Sequence, residues 1–477
     1  MTNSKSHPPS PGQGAVDAAT NITNFLGIRY AAAPLGDLRF RAPQPPTNMA
    51  GVQQATTQPN ECFQAGDGTS PTNPLRTRAA QVVQSEDCLF LKVYLGISGT
   101  PVGKLPTLVW IHGGGYLAGA ANSFNGEDII RQSKRGVVVV IIQYRLGVFG
   151  FLPGTQVKNN GALNAGLLDQ DFALRWTNKH ITKFGGDPSK VTIWGESAGA
   201  GSVLQHVVAN NGRTSPQLFR GAITSSTFLP SQYNFNDRIP EICTGARDSM
   251  ACLRATDASV LETANTNINT AGFFGTFVII PVIDGEFITQ RPTLSLLEGK
   301  VNGVESPSLS TQYALDLFPD FGTAQALTVG ALYAGLGTQL FQVNAIQGES
   351  IFICPTYYML HAFPGRRVRD PTRPHGNDIV YYFPGTSTPP FNNTVFINAF
   401  AQSFTSFIIN LDPNVKVDPT TITPKWNTFN VGNTEMLFNM TAGVPVVHTV
   451  TTSNALLERC HGSRFRFWDS VGSFTAQ

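Results

Sequence analysis

The sequence predicts an α/β fold, a mostly parallel central sheet flanked by helices, and three observations carry that expectation. First, the runs "LPTLVWIHGGG" from Leu105 and "GVVVVIIQY" from Gly136 are short, evenly apolar and bounded by Gly, Pro or charge, the pattern of strands buried on both faces. Second, "NAGLLDQDFALRWTNKHITKFGG", between that second run and "KVTIWG" at 190–195, repeats its apolar residues every three and four positions, as a helix does. Third, the strand, helix, strand rhythm continues through "AITSS" at 222–226 and the helical stretch "NAFAQSFTSFIINL" at 398–411, and such crossovers cover both faces of a parallel sheet.

Taken in chain order, residues 1–20 read as a disordered leader and "APQPP" at 42–46 as a rigid surface turn. No internal repeat or linker divides the rest of the chain, so 21–477 is expected to be a single domain, and 41% apolar composition over 477 residues suffices for a large core. A net charge of +2 offers no footprint for nucleic acid or anionic lipid, which leaves small neutral ligands. No run approaches 18 apolar residues, the length a membrane span needs. Six cysteines without a C-x-x-C spacing suit three disulfides better than a metal site. Asn21, Asn392 and Asn439 head N-x-[ST] sequons, so secretion is expected, although "MTNSKSHPPSPGQG" lacks the apolar core of a signal peptide.

Chemistry enters at "KVTIWGESAGAGSVLQHV". Ser197 stands between Gly195 and Gly199 where a strand gives way to a helix, and G-x-S-x-G at such a junction is a nucleophile elbow: small flanking residues permit a strained turn that raises the hydroxyl above the sheet. "HGGG" at 112–115 follows the strand "TLVWI" and is the loop type that donates backbone N–H groups to an oxyanion. Gly114, Gly115 and Ala198 are the candidate donors.

With these motifs the chain resembles the type B carboxylesterase/lipase family, the cholinesterase-like α/β-hydrolases, in wording closest to fungal members. The matching segments are "FLGIRYAAAPLGDLRFRAPQPP", "SEDCLFLKVY", "WIHGGGY", "LLDQDFALRWTNKHITKFGGDPSKVTIWGESAGAGS", "PVIDGEF" and "PHGNDIVYYFPG". The resemblance implies an α/β-hydrolase fold, a carboxylic ester hydrolase acting through an acyl-enzyme on a small-molecule or lipid ester, and no metal or organic cofactor. His375, in "RPHGND", resembles the catalytic histidine of the family's H-G-x-[DE] motif and comes after the serine, as the order serine, acid, histidine requires. His206 lies inside the elbow helix, where it is expected to pack or cap.

The acid departs from the family. "LEGKVNGVESPSLSTQYALDLF" has no apolar run between Val304 and Tyr313, and Glu305, the one carboxylate in that gap, lacks both a preceding strand and a following glycine. Glu298 and Asp316 read as helix-surface charges. "HAFPGRRVRDPTRPHG" carries Arg366, Arg367, Arg369 and Arg373 where the family has a strand, and reads as a solvated loop. Two core strands are therefore expected to be missing, with no carboxylate bonded to the His375 imidazole. The rival readings are an impaired enzyme from a shortened gene model and a non-catalytic module of the neuroligin kind.

The resemblance further implies the pairs Cys62 with Cys88, Cys243 with Cys252, and Cys354 with Cys460, where sequence alone leaves fifteen arrangements open. The first closes a loop that acts as a lid in the family's lipases; here that loop holds no tryptophan, which argues against choline esters. Glu196 and Ser226 resemble residues that brace the histidine side of the site. Gly275 and Phe277 resemble acyl-pocket positions.

Overall fold

The computed structural model describes residues 12–47, 50–68, 83–96, 104–236, 246–272, 276–303, 375–429 and 431–461, with Cys243 and short pieces between 333 and 369. Among these residues the central sheet has seven strands: β1 (Ala15–Asp17), β2 (Ile22–Arg29), β3 (Phe90–Leu95), β4 (Leu105–Ile111), β5 (Val138–Ile142), β6 (Gly186–Glu196) and β7 (Gly221–Ser225). Their order is β1-β2-β3-β5-β4-β6-β7. The pairings β5-β4, β4-β6 and β6-β7 are parallel, while β1-β2, β2-β3 and β3-β5 are antiparallel. The sheet is thus mixed: the half that carries the site is parallel, and an antiparallel meander extends it on the N-terminal side.

The expected leader is too long by the structure. β1 pairs Ala15 with Asn24 and Asp17 with Ile22, so the chain enters the fold well before residue 20. Alternation of side chains makes each strand serve two cores. On β4, Val109 and Ile111 join the cluster that also holds Leu167, Leu174, Val203 and Leu204, whereas Leu108 and Trp110 join the one that holds Trp194, Phe400 and Ile408. Helices α1 (Ala165–His180) and α2 (Ala198–Gly212, kinked at Ala209) therefore cover one face, and α4 (Thr394–Asn410) covers the other. The short α3 (Ile379–Tyr382) follows the turn that holds His375.

Among the described residues the sheet stops at β7. Farther along, β9 (Thr434–Thr441) and β10 (Val444–Thr451) form an antiparallel hairpin. β8 (Val368–Arg369) pairs in parallel with β9, so part of the arginine-rich stretch is strand rather than loop. Among the described residues this hairpin sheet is separate from the central one. The three disulfides join Cys62 to Cys88, Cys243 to Cys252 and Cys354 to Cys460, the pairing the resemblance implies.

Candidate active site

Ser197 occupies the sharp turn between β6 and α2 at φ 57° and ψ −125°, a combination nearly closed to residues with a β-carbon. Close packing over-determines it. A β-carbon at Gly195 would run into the Gly199 carbonyl, and one at Gly199 into the Ile111 carbonyl, so the two glycines let α2 approach both its own strand and β4. The Ser197 amide donates to the Ser225 carbonyl of β7 (3.0 Å), and the Gly201 amide to the Ser197 carbonyl (2.8 Å). Such a turn costs about 1–3 kcal/mol and persists because these contacts hold it.

The glycine loop meets this turn directly. A β-carbon on Gly113 would stand 2.9 Å from Ser197 Cβ and 2.8 Å from Glu196 Oε2. Gly114 and Gly115 adopt φ of 109° and 65°, which turns the loop across the end of α2. Among the described residues the amides of Gly114, Gly115 and Ala198 have no acceptor, and the Ala198 amide lies at the positive end of α2. His112 underpins the loop: buried and stacked on Tyr144 at 4.5 Å, its ring is pushed down to about 4 by desolvation and stays neutral. The Tyr144 hydroxyl donates to the His112 carbonyl at 2.8 Å.

His375 reaches the serine. Its Nε2 is 2.8 Å from Ser197 Oγ, close enough for proton transfer. Desolvation by its neighbours lowers its affinity for a proton, with Asp378 opposing, although 40% of the side chain remains exposed; the direction favours the neutral imidazole that can accept a proton. The turn that presents it is tied down behind: Trp194 Nε1 donates to Ser225 Oγ (3.0 Å), Ser225 Oγ lies 3.1 Å from the Tyr382 hydroxyl, and Tyr382 donates to Asp378 Oδ2 (2.9 Å). Ser225, which the sequence did not single out, supplies this hydroxyl. Strand alternation could have found it, because β7 sets Ser225 opposite Glu196 in register.

Among the described residues no carboxylate bonds the imidazole, and its one carboxylate neighbour within ion-pair range is Glu196, whose Oε1 lies 3.5 Å from Nε2. Glu305, Asp316, Arg366, Arg367, Arg373 and Gly275 lie outside the described residues. Glu298 is exposed and pairs with Lys300 at 2.6 Å, as a surface charge should. His206 is buried and bonded to Gln170 Oε1 at 3.0 Å, a packing role remote from chemistry. An aromatic wall bounds the site. Phe277 lies over Gly115 and packs edge-on against Phe228 at 5.2 Å; Phe228 meets Phe352 at 5.7 Å, and Phe352 meets the His375 ring at 4.3 Å. The loop behind Cys62 is stitched to this wall and to the glycine loop, through Ala65 N to Leu117 O (2.8 Å), Gly119 N to Gln64 Oε1 (3.0 Å) and Gly68 N to Thr276 O (2.9 Å).

Known proteins share this architecture. The crystal structure of Aspergillus niger EstA superposes with a TM-score of 0.81 at 28% identity, over 98% of this chain and 97% of that one. Secreted lipase 1 of Botryotinia fuckeliana (strain B05.10) is 34% identical over 311 residues, which is 59% of this chain and 54% of that protein. Lipase 2 of Diutina rugosa is 29% identical over 468 residues, covering 82% of this chain and 84% of that protein. The chain spans about half the length of the first two curated relatives it matches, 54% of the Botryotinia lipase and 48% of a rat pyrethroid hydrolase. The profile of the carboxylesterase family matches residues 12–312, and the chain belongs to that family.

Proposed function

We propose that this chain is a carboxylic ester hydrolase that works through an acyl-enzyme on Ser197. Ser197 Oγ attacks the ester carbonyl while its proton passes to His375 Nε2, and the carbonyl oxygen takes the negative charge among the amides of Gly114, Gly115 and Ala198. The tetrahedral intermediate collapses, the imidazolium protonates the departing alkoxide, and water repeats the sequence to release the acid. The observation that carries this reading is the 2.8 Å approach of His375 Nε2 to Ser197 Oγ, beside amides that have no acceptor among the described residues. The apolar ring wall from Phe277 to Phe352 suits an uncharged acyl group, as in a small-molecule or lipid ester.

Secretion is part of the proposal. Three disulfides fit an oxidising compartment, the sequon asparagines Asn21, Asn392 and Asn439 are all exposed, and the Botryotinia relative is named a secreted lipase. No helix among the described residues is long and apolar enough to cross a membrane.

The test is burst hydrolysis of a p-nitrophenyl ester together with covalent labelling by a fluorophosphonate. Both should occur in the wild type and vanish in Ser197→Ala and His375→Ala. A folded wild-type protein that neither bursts nor labels overturns the proposal in favour of the impaired chain.

A further inference from the structure

We infer that Lys92 is a positioning residue for the proposed oxyanion donors: its ammonium ties the far end of the glycine loop to the Cys62 loop and so fixes Gly114 and Gly115. The inference deepens the hydrolase reading above and rests on it. Lys92 lies on β3, where alternation sets it with Tyr94 on the face away from Leu91 and Val93, and it is fully buried. Lysine is almost never found so deep unless something holds it. Among the described residues its one hydrogen bond runs from Nζ to the Ala121 carbonyl at 2.8 Å, at the end of the segment that leaves the glycine triplet. A ring of contacts returns from there. The Gly119 amide donates to Gln64 Oε1 (3.0 Å), Gln64 Nε2 donates to Glu61 Oε2 (3.1 Å), and the Glu61 carboxylate favours the charged form of Lys92. The segment inside this ring is packed onto the donors: the Ala118 amide donates to the Gly114 carbonyl (2.9 Å), and a β-carbon on Gly119 would collide with the Gly113 carbonyl. A shift of residues 118–121 is therefore passed to residues 113–115.

Among the described residues the other charges packed against β3 are committed elsewhere. Arg29 of β2 holds Asp87 at 2.6 Å, and in the helix Glu127–Gln132 both Glu127 and Asp128 hold Arg131, at 3.1 and 2.5 Å. Neither β5 nor the turn Ala121–Ser123 carries a titratable side chain, and the Tyr94 phenol, two residues along β3, is pushed above its usual range by burial. Glu61 is left as the charge that acts on Lys92. Burial lowers the Lys92 ammonium to about 7, with Glu61 opposing. As pH rises through that value the ammonium gives a proton to solvent, its charge-assisted bond to Ala121 becomes a neutral one about half as strong, and the attraction to Glu61 is lost. The donors then loosen. Because they act on charge that develops only in the transition state, the loss falls on kcat and not on KM.

The experiment measures kcat and KM for a p-nitrophenyl ester from pH 5 to 9 in the full chain, with the urea midpoint of each variant to show that it folds. In the wild type kcat should rise as His375 becomes neutral, then fall near about 7 to a plateau up to about tenfold lower, with KM unchanged. Lys92→Met fills the site without a donor, so its kcat should lie on or below that plateau at every pH and show no fall. Glu61→Gln keeps a side-chain oxygen for Gln64 and removes only the charge, so the fall should move to lower pH. A folded Lys92→Met protein with wild-type kcat, or one whose kcat still falls near about 7, overturns the inference while leaving the hydrolase reading intact. So does a wild type whose kcat shows no fall. A Glu61→Gln protein whose fall stays in place overturns it too, and decides the matter even where Lys92→Met does not fold. A wild type that neither bursts nor labels with fluorophosphonate fails earlier, at the hydrolase reading, and takes this inference with it.

Discussion

At the scale of the residue, the proposed site is built from positions where only a small group fits, and such positions can be read from sequence. Ser197, Gly114, Gly115 and Ala198 are tied to local backbone geometry, and local geometry leaves a local mark in the sequence. The supporting groups leave none: Ser225 and Asp378 act through Tyr382, some 150 residues from one of them, and only register between distant segments joins them. The acid is silent for the same reason, since a carboxylate becomes a partner by where the fold delivers it. Gly115 offers a sharp test of the small-group argument. At φ 65° with the Phe277 ring against it, a methyl is both strained and in collision. Gly115→Ala should therefore lower kcat by about 10²–10³, the cost of one misplaced oxyanion donor. Adding Phe277→Leu, which frees the space but not the dihedral angle, should recover part of that loss in steady-state ester hydrolysis.

At the scale of the element, strands of the parallel half were legible because continuous apolar runs admit few other fates, and α1, α2 and α4 because their periods match their burial. Short or charged elements were not. β8 sits among arginines and exists through its pairing with β9, and β1 precedes residue 20 because it adds to the edge of β2, in both cases a non-local decision. How elements are fastened to one another is likewise unreadable until side chains meet. Arg145, just after β5, holds Asp169 of α1 with Nε to Oδ2 and Nη2 to Oδ1, both 2.7 Å, and the pair is 3% and 0% exposed. Asp169→Asn strands a buried guanidinium and should cost about 3–5 kcal/mol in urea unfolding. The double change Arg145→Met with Asp169→Leu should regain most of that, because the fully apolar replacement carries no charge to desolvate.

At the scale of the whole molecule, the proposed nucleophile and base come from segments far apart in the chain. Ser197 stands on β6, inside the sheet, whereas His375 stands on a turn between a π-helical segment at Gly348–Ile353 and the hairpin of β9 and β10, which belongs to a separate sheet. Three features hold the histidine segment against the sheet. One part is the ring cluster in which Trp194 meets Tyr382 at 4.5 Å and Phe404 at 5.2 Å; another is the chain from Ser225 to Asp378. The third is covalent: Cys354 and Cys460 close a loop of sequence separation 106 that contains His375, β8, α4 and the hairpin. A loop of that length restricts the unfolded chain by about 4–5 kcal/mol in the chain-entropy account. Replacing both cysteines by alanine should therefore lower the unfolding free energy by up to that amount, read as a drop in the urea midpoint. Because the released segment carries the base and not the nucleophile, activity should fail at lower urea than the fluorescence of the buried Trp110 and Trp194 in the central sheet. If activity and tryptophan fluorescence are lost together in the double variant, the histidine segment and the sheet unfold as one and the disulfide has no separate hold on the histidine.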